Sequence, residues 1–155
     1  MMACSRAPEP RTRILTASGY PIATCENGGM ARVRIGDDIG QAALVTVKAV
    51  AADGRDPAAS LDRSTVALAV RYSLQLLAER APGGTLEVRV PPFAAVQCVE
   101  GPKHTRGTPP NVIETDASTW LALATGRLSW SEARASGKAH ASGQRADLDG
   151  LVPVA

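Results

Sequence analysis

Apolar residues recur at helical spacing from Asp37 to Ala52, with Ile39, Ala43, Val47 and Val50 on one stripe. The spacing predicts a helix, with Asp37 or Asp38 as the cap that accepts its unpaired N–H groups. Gly40 and Thr46 weaken it, because neither favours a helix interior. Asp53-Gly54-Arg55-Asp56-Pro57 ends it with turn residues and a proline that cannot continue a helix. From Asp62 to Ala81 the helical period is stronger: Val66, Val70, Leu74 and Leu77 form one line, widened by Leu68, Ala69, Tyr72 and Leu76. So broad a face predicts burial against a sheet and a second element. Pro82-Gly83-Gly84 stops this helix.

The period then changes to two. Leu86, Val88 and Val90 alternate with Thr85, Glu87 and Arg89, as in a half-buried strand with one wet face. Pro91-Pro92 interrupts it, and an apolar strand resumes over Phe93 to Glu100. Residues 101–110 are a loop by composition, and Asn111 to Thr115 is a short β-branched strand. Asp116 opens a helix that Gly126 closes, and Ser129 with Glu132 forms a capping box for another that ends at Gly137. Lys138 to Ser142 is strand-like, and Ala146 to Val154 adds a strand or a short turn. Strands in a run and helices in pairs argue an α+β fold, with helices on one face of a mainly antiparallel sheet. Residues 1–29 show no sustained period and carry Pro8, Pro10, Pro21 and Gly28-Gly29. They read as a tail, either disordered or an over-extended start, ahead of one domain over residues 30–155.

Composition narrows the function. Of 155 residues only five are aromatic, so the core must be built mainly from Ala, Val and Leu. Such a core either lets helices approach the sheet closely or leaves a void. Seventeen basic and fifteen acidic residues give a net charge of +2, without the clustered Lys/Arg of a nucleic-acid footprint. No run of 18 apolar residues exists, so no stretch of the sequence reads as a bilayer span. The long helix brings only Arg63, Arg71 and Arg80 to a membrane surface, which allows at most a transient contact. The cysteines, Cys4, Cys25 and Cys98, are odd in number and form no CxxC pair, which argues for a reducing cytoplasm. Cys98, in an apolar run, reads as a small buried hydrophobe.

One stretch carries a resemblance. Asp116 begins a short helix with Leu121 and Leu123, followed by Thr125-Gly126-Arg127-Leu128, a second helix from Ser129 to Ser136, Gly137, a strand from Lys138 to Ser142, and Gly143. This resembles the C-terminal half of the sterol carrier protein type 2 family. Val90 to Glu100 and His104 to Val112 look like its bacterial orthologue branch, and the likeness covers about residues 62–154. The resemblance implies a five-stranded sheet covered by helices. It also implies an apolar cavity for a lipid, fatty acyl chain or sterol-like body, and a carrier domain that performs no chemistry and needs no cofactor. An accessory or protein-interaction module of the same fold, with a filled core and no ligand, is the alternative.

A fatty ligand needs a dry concave site with aliphatic walls and few polar groups at its mouth. Val70, Leu74 and Leu77 of the long helix, Val96 and Val112 of strands, and Leu121 and Leu123 are candidates for the walls. Trp120 stands either in the core or at the cavity mouth, as does Trp130. Lys103, His104 and Arg106 lie in the Pro/Gly-rich loop near Glu100 and Glu114. A pairing of Arg106 with Glu100 or Glu114 that stiffens the loop is the simplest reading. His104 and Arg106 as contacts to a ligand headgroup come next, and His104 as a general base follows. The two histidines, His104 and His140, form no metal-binding pattern. No GxSxG, phosphate-loop or dinucleotide fingerprint is present.

Overall fold

The computed structural model describes residues 33–101 and 111–155. His104 and Arg106 lie outside the described residues. The elements run α1 (Asp37–Ala52), α2 (Pro57–Ser60), α3 (Arg63–Arg80), β1 (Leu86–Val90), β2 (Ala94–Cys98), β3 (Val112–Thr115), α4 (Ala117–Ala124), α5 (Trp130–Ala135) and β4 (Ala139–Ser142).

The caps show why the helices start where they do. Asp62 accepts from the backbone N–H groups of Ser64 and Thr65 at the head of α3, and Asp116 from Thr119 at the head of α4. Ser129 and Glu132 complete the capping box of α5. At α1 the expectation fails: Gly36 is the cap, and no side chain caps the helix. Asp37 is drawn sideways instead, accepting from Arg34 at 2.9 Å and from the Tyr72 hydroxyl at 3.0 Å. The buried stripe of α1 is also rotated from the expected one. Gly40, Ala43, Leu44 and Val47 face inward, while Ile39 is 56% exposed. Gly40 sets this rotation, because a Cβ there would lie 2.2 Å from the Tyr72 ring of α3. The glycine that weakens the helix is therefore what lets it dock. Pro57, read as a terminator, also starts α2, with Asp56 as the cap and proline at the first turn.

The sheet has the order β2-β1-β3-β4. β1 pairs antiparallel with β2 and parallel with β3, and β3 pairs antiparallel with β4. It is therefore a mixed sheet, with four strands among the described residues rather than about five. The hairpin partner β2 already occupies one edge of β1. β3 takes the other edge, entering from the same end as β1, where the Glu87 N–H donates to the Asn111 carbonyl. Residues 146–155 add a turn and no strand, burying Leu148. Buried Asn111 ties these ends together: its amide donates to the Thr85 carbonyl and its Oδ1 accepts from the Arg145 N–H, both at 2.9 Å.

The helices stack outward from the sheet. α3 packs on β2 and against α4, α1 packs on α3, α2 fills between α1 and α4, and α5 sits by β4. The other sheet face carries Glu87, Arg89, Gln97, Glu114 and His140, with an ion pair between Arg89 and Glu87. One apolar cluster joins α1, α3, α4, α5 and the inner sheet face.

Candidate functional site

The inner face of the sheet presents Leu86, Val88, Val90, Val96 and Ile113, all buried. Strand alternation puts them on one side, since Val88 is the register partner of both Val96 and Ile113. α3 lowers Val70, Leu74 and Leu77 onto the cluster they belong to, and α4 contributes Trp120, Leu121 and Leu123. The structure thus brings together six of the candidate wall residues, Val70, Leu74, Leu77, Val96, Leu121 and Leu123, and Trp120 with them. Val112 does not join them. Its register partners are Glu87 and Ser142, so it stands on the opposite sheet face, and Ile113 takes the inner position. A short β-branched pair reads the same in either phase, and only the register with β1 decides which member points inward.

The seam between α3 and α4 is closed by a polar contact. The Trp120 indole N–H donates to Ser73 Oγ at 2.8 Å, and Ser73 Oγ donates in turn to the Ala69 and Val70 carbonyls of its own helix. This satisfies the buried indole donor and fixes the ring in the core. Trp130 is also buried, but its N–H has no hydrogen-bond partner among the described residues, and Arg134 lies over its ring at 5.8 Å. Cys98 is free and enclosed, and burial pushes its thiol up to about 11. A thiol held that high is no thiolate nucleophile near neutral pH.

Open space adjoins Leu121. The end of α1, α2 and α4 enclose a cleft of about 260 Å³. Val47, Ala51, Leu121 and Ala122 supply its apolar lining, and Arg55, Asp56, Ser118, Thr125 and Arg127 its polar groups. Arg55 is held by Asp53 at 3.0 Å. Arg127 follows the Gly126 turn, whose φ of 75° favours glycine, and makes no ion pair among the described residues. The sequence concealed this cleft, because α2 reads as a turn and one wall is α1. Arg127 in the Thr-Gly-Arg-Leu stretch was the available signal. A second cleft is lined by Glu114, Asp116, Lys138 and His140 beside Pro91. Among the described residues no group of three or more acidic, His or Cys side chains is placed to hold a metal ion. No helix among them is long and apolar enough to cross a membrane.

A small mixed sheet with helices stacked on one face, joined along a single apolar seam, defines an α+β domain of the helix-over-sheet kind. The sequence profile of the bacterial SCP (sterol carrier protein) ortholog family matches residues 62–154, more than half of the chain, and the chain belongs to that family. Its carriers are generally non-enzymatic. The matched stretch begins at the cap of α3, so α1 and α2 lie outside it. A comparison with curated proteins finds no match.

Proposed function

We propose that this chain is a non-enzymatic, carrier-like domain that holds a fatty acyl or sterol-like ligand. The observation that carries the reading is the position of Leu121. It belongs to the core cluster and also lines the α1–α2–α4 cleft, so it joins open apolar space to the seam between helices and sheet. Hydrocarbon lies against Val47, Ala51, Leu121 and Ala122. As the packing yields, it reaches toward Val70, Leu74, Leu77, Val96, Trp120 and Leu123. Arg127 meets a polar end at the mouth, and His104 and Arg106 remain candidates for the same task. Burying each CH₂ contributes about 0.8 kcal/mol, whereas an exposed ion pair contributes about 0–1 kcal/mol. Chain length therefore governs affinity more than the headgroup does. A reducing cytoplasm suits the free, enclosed Cys98.

A second reading rests on a specific observation. Trp120 is fully buried and hydrogen-bonded to Ser73, which favours a filled core and an accessory or protein-interaction module of the same fold. Native mass spectrometry of gently purified protein and titration with a fluorescent fatty acid separate the two. A carrier retains lipid and binds the probe saturably. Ala122→Phe, which fills the cleft from a half-buried position, weakens that binding about tenfold. If the wild-type protein carries no lipid and shows no saturable binding, the carrier reading is wrong and the filled-core module stands.

A further inference from the structure

Among the described residues nothing packs over the outer face of α1, which carries an apolar stripe. Val45 is 63% exposed and Ile39 56%, and exposed Ala42, Ala49 and Ala52 continue the stripe along the helix. Small residues at these positions permit close approach of another helix. Beside the stripe, Asp38, Ile39, Ala42, Ala43 and Thr46 of α1 border a groove of about 430 Å³, with Thr65 and Leu68 of α3 opposite.

Two charges frame the stripe. Asp38 in the first turn and Lys48 near the other end are both exposed, and neither has an ion-pair partner among the described residues. They stand ten positions apart, about 15 Å along a helix at 1.5 Å per residue. A two-fold axis through position 43 exchanges them. In an antiparallel pair of α1 helices, Asp38 of each copy then meets Lys48 of the other, twice over. The same axis sets the two exposed Val45 side chains about 6 Å apart along the helices, about one turn, so both lie near the centre of the contact. This is the condition for an isologous interface: residue i meets j, and j meets i.

We propose that α1 is the self-association surface of this protein, a two-fold antiparallel contact between two copies of the chain. It uses an element outside the family-matched residues and does not depend on ligand binding by the domain.

Sedimentation equilibrium on the full chain tests it. The wild-type protein forms a concentration-dependent dimer. Val45→Arg, a change at an exposed position, abolishes it with the circular dichroism spectrum retained. Asp38→Lys and Lys48→Asp each weaken self-association at least about tenfold, since each creates two like-charge contacts per dimer. Mixing those two single variants restores association, because both contacts across the axis are then of opposite charge. A wild-type chain that stays monomeric overturns the proposal, including one that binds anionic vesicles through this face instead. So does a dimer indifferent to Val45→Arg, or a mixture of the charge variants that fails to recover.

Discussion

Trp120 and Ser73 meet across the α3–α4 seam, indole N–H to hydroxyl oxygen at 2.8 Å, with both residues fully buried. Trp120 belongs to the apolar cluster that joins the helices to the sheet. Trp120→Phe removes the donor and part of the ring. Ser73 keeps its two backbone acceptors, so no new orphan is made. A net hydrogen bond contributes about 1 kcal/mol and the lost ring volume adds to it, so the expected cost is about 2–3 kcal/mol. Urea unfolding of both proteins measures it. A cost below about 0.5 kcal/mol would show that the seam is loosely packed.

Gly40 and Tyr72 make the opposite prediction from helix propensity. Alanine in place of a helical glycine normally gains about 1 kcal/mol. Here its Cβ would meet the Tyr72 ring at 2.2 Å, and the ring is fixed by the core and by its hydroxyl, which donates to Asp37 and accepts from the Gln41 amide. Gly40→Ala is expected to lower stability by about 1–2 kcal/mol net, the cost of overpacking less the propensity gain. In the Tyr72→Ala background the same change becomes neutral or favourable. A double-mutant cycle reads the coupling.

Arg80 holds the end of the chain. Its guanidinium donates to the Leu151 and Pro153 carbonyls, while the Val154 and Ala155 N–H groups donate to the Ala124 carbonyl at the end of α4. Arg80→Ala removes one of the two attachments. Amide exchange at Val154 and Ala155 should rise about tenfold or more, with exchange in α3 and the sheet unchanged. Equal exchange in both proteins would show that the Ala124 bonds suffice.

Acid should loosen the helix caps and the α1–α3 contact. Hydrogen bonds from Arg34 and Tyr72 hold Asp37 below its ordinary value of 3.8, those from Ser64 and Thr65 hold Asp62 well below it, and Ser129 holds Glu132 below 4.5. Each folded-state value is depressed, so the stabilisation is present above the unfolded values. It is lost as pH falls below about 4 through the folded ones. Melting temperature is expected to be level above pH 5 with respect to these groups and to decline below pH 4. Replacing the three with Asn, Asn and Gln lowers stability at pH 6 and flattens the acid decline. An acid decline of unchanged steepness in that variant would assign the effect to other groups.

The sequence by itself determined most of the local structure. Asp62, Asp116 and the Ser129–Glu132 box start their helices because a side-chain oxygen near an unpaired N–H is a short-range matter. The period-two run Leu86-Val88-Val90 chose its buried face, and the line Val66-Val70-Leu74-Leu77 chose the buried side of α3. Tertiary structure decided what depends on a neighbour far along the chain. β3 pairs with β1 on the edge β2 leaves open and runs parallel to it because it enters from the same end, and that register turns Ile113 inward and Val112 outward. The rotation of α1, which exposes Ile39, follows from the Tyr72 ring seated on Gly40, 32 positions away. The α1–α2–α4 cleft exists only where three separately coded elements meet. Periodicity reports how a segment alternates between dry and wet. It carries no information about which partner makes it dry.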